Sequence, residues 1–286
     1  MKTKLDFPTL LRHDKDGVVY FTDDSLFAQN GVKIAFVGKL GGFSEKEFLS
    51  LNLGNRVGDD AQRVEKNREK FVSVLSEESA KFNSHPIIIN PKQVHKDDLI
   101  VIKTRQDAFD IKDKEIEADG VVCDCKVKQV CPLLCFADCV PVIMVTSSGA
   151  FAVVHAGWRG VVNKITQKAY SQLIEQTNED ASEINVYIGP HIRSCCFEVG
   201  SEVKDDFVSE FGEEVVATPS DAKGDKAHIS MVKALYNQLF EVGAQRERIC
   251  DLGICTCCSN EKDDLFYSYR KTNGKCGRHG ALAFGV

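Results

Sequence analysis

Three residues that can bind a metal ion lie next to predicted strands. His95 follows the apolar segment PIIIN, Cys139 lies in CFADCVPVIM, and His155 is near the end of GAFAVVHAG. Because sites in α/β proteins form where strands end, these side chains can meet in the folded chain. One thiolate and two imidazoles can bind Zn²⁺ and leave a fourth position for water or substrate. A zinc site is therefore one interpretation of the three residues.

The same residues allow a second interpretation, a nucleophilic cysteine. Cys139 as thiolate and His155 as base match the Cys–His pair of a hydrolase. Taken alone, a histidine is more often a hydrogen-bonded structural residue, and a cysteine is more often a packed thiol. His95 and Cys139 are 44 positions apart and Cys139 and His155 are 16 apart, so no local metal-finger spacing exists. Both chemical interpretations stay open on the residues alone.

An acidic residue beside the cysteine has no packing role in an apolar strand. Asp138 precedes Cys139, and Pro141 is expected to interrupt the strand just after them. A carboxylate at this place can orient a ligand histidine or take a proton. Asp138 and Cys139 are therefore the candidate catalytic residues.

The residue types also match a copper site. Histidine, cysteine, histidine and a later methionine, Met144, make up the ligand set of a blue-copper centre. However, Met144 lies in the apolar run VPVIM and is predicted to pack in the core. Five other histidines remain in the sequence, none paired as HxH, which argues against a multicopper cluster.

Two further segments carry arginines among polar residues. SLNLGNRVGDD contains Asn52 and Arg56, and DLFYSYRKTNGKCGRHG contains Arg270 and Arg278. Guanidinium groups near a turn or a helix start can form a phosphate site, although such segments can equally be solvated turns. These four residues are the candidates for substrate binding.

Cysteine is unusually frequent, with twelve residues in the chain. The beginning of the sequence has no apolar signal-peptide core, so the expected location is cytoplasmic and the cysteines are expected to be reduced. Most of them, Cys135 included, are predicted to be small buried apolar residues. Neighbouring cysteines seldom chelate a metal alone, so CTCC (255–258) is interpreted as packing or redox chemistry.

Apolar strands and amphipathic helices must position these residues. Strands are predicted in KIAFVG, PIIIN, LIVIK, ADGVVCD, CPLLCFAD, VPVIMVT, GAFAVVHAG, INVYIGP and ALAFGV. Helices are predicted over 61–76, capped by Asp59 or Asp60, over 158–176, and near 200–211 and 230–243. The pattern favours an α/β fold, a single layered domain over 1–286 with a mixed central sheet flanked by helices. Residues 1–31 are expected to form an N-terminal extension packed on it.

Composition and charge exclude several classes of partner. The chain has 286 residues, 43% of them hydrophobic, and a formal net charge of −6. Neither nucleic acid nor an anionic membrane is therefore expected as a partner. No apolar run approaches the ~20 residues that a membrane-spanning helix needs. The sequence has no recognisable interface pattern, and a monomer or weak homodimer is expected.

The order of short motifs resembles one family. The motifs, in the order in which they follow each other, are GKLGGFS, SLNLGNRVGDD, QVH, ADGVV, ADCVP, HAGWRG, IGPHI, CFEVG, CT, FYSYR and GR. This family is the laccase-domain family, which includes peptidoglycan editing factor-like proteins. Its members are known as polyphenol or multicopper oxidases and as purine nucleoside phosphorylases. The match runs from about residue 32 to the C terminus, and ADCVP with HAGWRG is its most specific part. The sequence departs at Leu40, where the family has an arginine, and in KCGRHG, which keeps Arg278 but lacks the threonine of TGR.

The resemblance implies a fold, a metal and two reactions. The fold would be similar to toxin deamidases and cysteine hydrolases, and one catalytic Zn²⁺, rather than copper, would be held by His95, Cys139 and His155. Family members phosphorolyse adenosine, inosine, guanosine and methylthioadenosine and also deaminate adenosine. A purine nucleoside and phosphate are therefore the expected small-molecule partners. Two competing functions are a cysteine-nucleophile hydrolase or amidase that edits peptidoglycan precursors, and a copper-dependent polyphenol oxidase.

Overall fold

Strands and helices alternate along most of the chain. The computed structural model describes residues 4–76, 86–217, 226–258 and 264–286. The strands are β1 (Leu11–Lys15), β2 (Val18–Thr22), β3 (Val32–Val37), β4 (Ile87–Ile89), β5 (Leu99–Ile102), β6 (Gly120–Cys123), β7 (Val130–Phe136), β8 (Val140–Val145), β9 (Phe151–Ala156), β10 (Asn185–Ile188), β11 (Glu198–Val199), β12 (Val216–Ala217), β13 (Ala227–Ile229), β14 (Ile249–Asp251) and β15 (His279–Gly285). The helices are α1 (Asp24–Asn30), α2 (Ala61–Ser76), α3 (Arg105–Ile111), α4 (Trp158–Val162), α5 (Ile165–Thr177), α6 (Ser201–Phe211), α7 (Met231–Glu241) and α8 (Tyr269–Thr272). Short 3₁₀ helices lie at Lys46–Phe48, Ala181–Glu183, Glu213–Val215 and Arg246–Arg248.

The strands form two large mixed sheets and one small one. The first sheet has the order β1-β2-β3-β15-β7-β4, the second has the order β14-β10-β8-β9-β6-β5, and β11, β13 and β12 form the third. The pairs β4–β7, β5–β6 and β10–β14 are parallel, and the other paired strands run antiparallel. The mixed α/β prediction is confirmed, but the single central sheet is wrong. The consecutive apolar strands β7 and β8 belong to different sheets. The likeness to cysteine hydrolases and toxin deamidases stays a prediction.

Buried side chains lie on both faces of each large sheet and produce four layers. Helix α2 covers the outer face of the first sheet, where Phe71 packs near Leu133. Phe136 and Val153 belong to the core between the two sheets. Helices α5, α6 and α7 cover the outer face of the second sheet. Because successive side chains of a strand point to opposite faces, strands buried on both faces are apolar throughout, as the sequence pattern indicated.

Two predicted helices differ in detail from the sequence expectation. Asp60 caps α2, since its Oδ1 accepts a hydrogen bond from the Arg63 amide at 2.9 Å. The neighbouring Asp59 instead accepts from the side chains of Ser44 and Asn52. The single helix predicted over 158–176 is wrong, because α4 and α5 are separated at Lys164, whose φ of 61° is left-handed.

The chain changes sheet at the segment that carries Asp138 and Cys139. Strand β7 ends in the first sheet at Phe136, and β8 begins in the second sheet at Val140. Asp138 adopts a positive φ of 96° in this crossing. Pro141 lies inside β8, paired with His155, so the expected interruption at Pro141 is wrong. The strand is interrupted before Pro141, because the chain has to move from one sheet to the other.

Sulfur residues in the strands are mostly part of the core. Met144 is fully buried, which confirms its predicted packing role. Cys123 and Cys131 are also fully buried, and burial raises the pKa of both thiols.

The N-terminal strands belong to the first sheet, where β1 pairs with β2 and β2 with β3. Within the described ranges, none of the helices combines the length and the apolar character needed to span a bilayer.

Candidate active site

The structure brings together three side chains that are far apart in the sequence. This trio consists of His95, Cys139 and His155. A ring nitrogen of each histidine and the sulfur of Cys139 all lie within 4.8 Å of one another. The two imidazole rings meet edge to face, with centroids 4.9 Å apart and an interplanar angle of 87°. Antiparallel pairing of β8 with β9 brings the crossing before β8 next to the end of β9. His95 comes from the loop after β4 and has a left-handed φ of 60°.

A glycine allows these three side chains to approach closely. A Cβ atom at Gly157 would lie 3.1 Å from Cδ2 of His95, 3.5 Å from the Cys139 sulfur and 3.6 Å from Cε1 of His155. The first distance is shorter than an ordinary van der Waals contact, so any side chain would press on the His95 ring. Gly157, the first glycine of HAGWRG, therefore leaves the His95 ring the room that a side chain at this position would reduce.

A buried carboxylate that sequence reasoning missed orients one of the histidines. Oδ1 of Asp119 lies 2.8 Å from Nδ1 of His155, and the two side chains are almost fully inaccessible to solvent. Asp119 also accepts hydrogen bonds from the backbone amides of Val94, His95 and Lys96. Burial opposes its ionisation, but the bond to His155 and these amide donors outweigh it and lower the pKa of Asp119. The available signal was the ADGVV motif, in which an acid precedes a buried strand.

The donor set fits a metal ion with one open position. With Nδ1 of His155 donating to Asp119, Nε2 is left as the ligand atom, the usual carboxylate–histidine–metal arrangement. Burial disfavours the Cys139 thiolate, but the neighbouring His155 and His95 outweigh it and lower the pKa of Cys139 to about 6. Three ligand atoms of types N, S and N on one side of a cavity match zinc sites that keep a water or substrate position.

Without a metal, the same contacts support a thiolate–imidazolium pair. Burial disfavours the charged ring of His155, but the Cys139 thiolate and Asp119 outweigh it and raise the pKa of His155 to about 9. A cysteine near pKa 6 beside a protonated histidine is a competent nucleophile. The geometry is therefore compatible with both chemical interpretations that the residues allow.

A cavity of about 520 Å³ opens onto the trio. Its volume is in the range of small-molecule sites. Besides the trio, its walls include the arginines Arg56, Arg270 and Arg278, the aromatic residues Trp158, Phe197 and Tyr269, and the residues Asp138, Cys135 and Ile192. Cys135 is half-buried and faces this cavity, so its predicted place in the core is only partly right. Sequence reasoning missed the contribution of Trp158 and Phe197, which lie in the HAGWRG and CFEVG motifs.

The arginines Arg270 and Arg278 are held by backbone carbonyls rather than by acidic partners facing the cavity. Arg270 donates to the carbonyls of Cys196 at 3.1 Å and Glu198 at 3.0 Å. Nη1 of Arg278 donates to the carbonyls of Cys276 and Gly277 at 2.7 and 2.9 Å. These bonds fix the guanidinium groups without neutralising their charge, so this wall of the cavity attracts anions.

Arg56 and Asn52 occupy different positions relative to the cavity. Arg56 lines the cavity and also lies 3.7 Å from the exposed Glu115. Asn52 is fully buried behind the wall. Its Oδ1 accepts from the amides of Gly54 at 3.0 Å and Arg278 at 2.8 Å, and its Nδ2 donates to Asp59 at 2.9 Å. Asn52 therefore supports the backbone of Arg278.

Asp138 faces the cavity from the crossing between the sheets. Its Oδ1 accepts a hydrogen bond from the Thr256 hydroxyl at 2.6 Å, and its Oδ2 accepts from the Arg270 amide at 2.7 Å. Asp119, and not Asp138, is the carboxylate that bonds the ring of His155. Asp138 is the one carboxylate among the described residues that line the cavity.

Comparison with known proteins places the chain among relatives that cover nearly its whole length. The family model for multi-copper polyphenol oxidoreductase laccase matches residues 33–284. Purine nucleoside phosphorylase YlmD of Bacillus subtilis is 30% identical over 256 residues, which are 85% of this chain and 84% of the relative. Adenosine deaminase RL5 from an unknown prokaryotic organism is 31% identical over 236 residues, which are 81% of this chain and 85% of the relative. The crystal structure of the hypothetical protein YfiH of Bacillus licheniformis has a TM-score of 0.81 and 28% identity, covering 96% of this chain and 99% of that one.

Proposed function

This chain belongs to the multi-copper polyphenol oxidoreductase laccase family, and we propose that it is a zinc-dependent purine nucleoside phosphorylase. The observation that carries the proposal is that the His95–Cys139–His155 trio and three arginines face the same cavity. A metal-binding trio alone would suit many hydrolytic reactions. The additional cationic wall supplies a place for phosphate, the second substrate of a phosphorolysis.

The cavity walls suit the two substrates in different ways. Trp158, Phe197 and Tyr269 offer aromatic faces on which a purine can stack, an interaction worth about 1–3 kcal/mol per base. Arg270 and Arg278 offer planar donors that match phosphate oxygens. The base and the phosphate would therefore occupy chemically different parts of one cavity. Asn52 acts as a positioning residue, because it holds the Arg278 backbone.

The phosphorolysis needs one bond to form, one to break and one proton to move. A phosphate oxygen attacks C1′ of the ribose, the C1′–N9 bond breaks, and its electron pair goes to the departing purine. The proton that the attacking phosphate loses ends on the purine. We assign this relay to the Asp138 carboxylate, because it lies at the cavity wall between Thr256 and Arg270.

The trio would hold the metal with His95, Cys139 and Nε2 of His155. A Zn²⁺ ion bound there would act as a Lewis acid and would lower the pKa of a bound water. Asp119 keeps the proton of His155 on Nδ1 and so presents Nε2 to the site. Gly157 keeps the space beside the trio clear.

Adenosine deamination is a second candidate, favoured by the similarity to a relative named adenosine deaminase. In that reaction a water oxygen adds to C6 of adenine and the amino group leaves as ammonia, so phosphate is not consumed. A cysteine-nucleophile hydrolase acting on peptidoglycan precursors and a copper-dependent oxidase are the third and fourth candidates. The pKa shifts of Cys139 and His155 favour the cysteine chemistry when no metal is bound.

Product analysis separates these reactions. Purified protein is incubated with inosine or adenosine, with and without phosphate, and the products are resolved by chromatography. We expect hypoxanthine and ribose 1-phosphate from inosine only when phosphate is present. Equal base release in phosphate-free buffer would contradict phosphorolysis, and inosine from adenosine without phosphate would demonstrate the deaminase reaction. Inactivation by iodoacetamide together with indifference to chelators would favour the cysteine hydrolase.

An arginine substitution tests the assigned phosphate wall. Arg278→Gln removes one charged donor, and charge-assisted hydrogen bonds are worth about 1.5–3 kcal/mol. We therefore expect the KM for phosphate to rise roughly 10- to 100-fold with unchanged metal content. Arg12→Gln, on the exposed strand β1, is the matched control. An unchanged phosphate KM in Arg278→Gln would exclude this residue from phosphate binding.

A further inference from the structure

Four thiols from two distant segments meet beside the candidate active site. The cysteine cluster consists of Cys195, Cys196, Cys255 and Cys258, whose sulfur atoms all lie within 4.8 Å of one another. The sulfurs of Cys195 and Cys258 are 3.3 Å apart, although 63 positions separate them in the sequence. CTCC alone would chelate poorly, but the fold adds a second pair of thiols to it.

Backbone hydrogen bonds hold the two segments side by side. The His191 amide donates to the Ile254 carbonyl at 3.2 Å, and the Thr256 amide donates to the His191 carbonyl at 3.0 Å. His191 and Cys255 form a parallel bridge. The cysteine cluster is therefore prearranged by the backbone, which reduces the entropy cost of collecting four ligands.

The turn around Cys255 has the features of a metal-binding turn. Cys255 and Cys258 have C-x-x-C spacing, while Cys257 packs against the core behind the second sheet. The Arg193 amide donates to the Cys255 sulfur at 3.5 Å, and the amides of Cys258 and Cys257 donate to it as well. Amide donors of this kind stabilise the thiolate ligand of a metal.

We propose that the cysteine cluster binds a structural Zn²⁺ ion through its four sulfur atoms. With Zn–S bonds of about 2.3 Å, the sulfurs of a tetrahedral site are about 3.8 Å apart. The 3.3 Å separation of one pair and the 4.8 Å limit for all pairs bracket that value. A disulfide would need sulfurs about 2.05 Å apart. Four protein ligands leave no position for substrate, so the ion would be structural.

Such an ion would connect two groups of the candidate active site to one anchor. Thr256, inside the C-x-x-C turn, donates to Asp138. The carbonyl of Cys196 accepts from the Arg270 guanidinium. Thr256 and Cys196 would affect the candidate active site through these hydrogen bonds, without contacting a substrate. Removing the ion would free both segments and loosen Asp138 and Arg270.

Metal content in matched variants tests the proposal. The full chain is purified with a reducing agent, and zinc per chain is measured by plasma mass spectrometry. We expect the Cys195→Ser/Cys258→Ser double variant to lose one zinc equivalent relative to the unmodified chain. Cys257→Ser, which changes the same turn outside the cysteine cluster, should lose none. An unchanged zinc content in the double variant would overturn the proposal.

A second measurement on the unmodified chain guards against a variant that fails to fold. Cys195 and Cys258 are exposed, so free thiols at these positions would react rapidly with iodoacetamide. We expect both to resist alkylation until a strong chelator removes the metal, after which peptide mass spectrometry finds them labelled. Rapid labelling before chelation would overturn the proposal. A mass about 2 Da lower for each bonded pair, found in the reduced preparation, would indicate disulfides and also overturn it.

The zinc of the cysteine cluster is distinguishable from that of the trio. Cys139→Ala should remove metal from the trio and leave one zinc equivalent. Adding Cys195→Ser and Cys258→Ser to that variant should remove the remaining equivalent. Loss of all zinc in Cys139→Ala alone would place every bound ion at the trio and contradict a second site.

Discussion

The trio and the cysteine cluster are both built from residues far apart in the sequence, yet they suit different tasks. The trio supplies three ligand atoms and opens onto a cavity of about 520 Å³. The cysteine cluster supplies four ligand atoms, and none of its residues is among the described residues that line that cavity. Three protein ligands with an open position are typical of catalytic zinc, and four thiolates are typical of structural zinc.

The difference between the two sites also extends to their supports. Asp119 bonds the ring of His155 through a side chain, which fixes a tautomer and a ligand direction. Cys255 is supported by backbone amides, which stabilise a thiolate without controlling any open position. The proposed catalytic site thus has a support that fixes a direction, whereas the support of the proposed structural site compensates charge.

Removing the thiol of the trio should have the largest effect. Cys139→Ala deletes a ligand of the proposed Lewis acid, whose contribution of several kcal/mol corresponds to a rate loss of at least about 1,000-fold. Purine release from inosine is measured together with zinc content. Cys125→Ser, a half-buried cysteine outside both sites, serves as control. Retained activity with unchanged zinc would remove the trio from the catalytic role.

Loss of the carboxylate behind His155 should weaken one site and spare the other. Asp119→Asn keeps the size of the side chain but removes its charge, and such changes typically reduce metal affinity about 10- to 100-fold. Competition with a coloured chelator should show one zinc released more easily and one unaffected. Glu117→Gln, exposed and paired with Lys92, is the control in the same segment. Equal weakening of both zinc ions would show that Asp119 supports the fold rather than the trio.

A single methyl group should disturb the trio by a smaller amount. Gly157→Ala places a Cβ 3.1 Å from the His95 ring, and crowding of this kind costs about 1–3 kcal/mol. We expect roughly tenfold weaker metal binding at the trio. Gly200→Ala is a close match, because Gly200 also precedes a helix in an extended conformation but has no atom within 4 Å of its Cβ position. Equal effects of the two substitutions would argue that the space beside His95 is not limiting.

A buried histidine outside both sites should produce the smallest effect, on stability alone. His279 packs against Phe136 and Phe266, and burial, reinforced by the charge of Arg278, lowers its pKa to about 3. Between this pKa and the unfolded pKa of about 6.5, the unfolded chain binds more protons than the folded chain does. The free energy of unfolding is therefore highest above pH 6.5 and decreases as the pH falls through this range. Urea unfolding at pH 7 and pH 5.5 should show a loss of about 1 kcal/mol from this group.

The matching variant isolates the contribution of His279 from other titrating groups. His279→Gln cannot titrate, so its loss of stability between pH 7 and pH 5.5 should be about 1 kcal/mol smaller than that of the unmodified chain. The comparison uses only the change in the free energy of unfolding between the two pH values, so a variant that is less stable at pH 7 can still be used. The same pH dependence in both proteins would show that His279 binds a proton equally well in the folded and the unfolded chain, which would contradict the lowered pKa.

Local sequence patterns predicted much of the secondary structure and the ligands. The apolar runs predicted β3, β8 and β10 within a few residues, because strands buried on both faces must be apolar throughout. The helix over 61–76 was recognisable from its apolar spacing. The break at Lys164 was missed, because a left-handed lysine has no reliable sequence signal.

Sheet membership and supporting contacts could not be predicted in the same way. Nothing in CPLLCFAD and VPVIMVT indicates that β7 and β8 join different sheets, since both runs satisfy the same burial pattern. Asp119 lies in a motif that was noted, but its partner His155 is 36 positions away. Asn52 resembled a ligand-binding amide, and only its contacts with Gly54 and Arg278 identified its supporting role.

Residue types and local patterns were enough to specify which chemical groups are available: two imidazoles and a thiol at strand ends, three arginines in polar segments, and an excess of cysteines. Their grouping came from the fold, because long-range strand pairing and backbone bridges bring together residues that no local pattern connects. The trio depends on the crossing between the sheets, and the cysteine cluster depends on the backbone bridge between His191 and Cys255. Residue types specify which side chains can act as ligands. The tertiary arrangement decides how many of these side chains meet at one point and whether a cavity faces them.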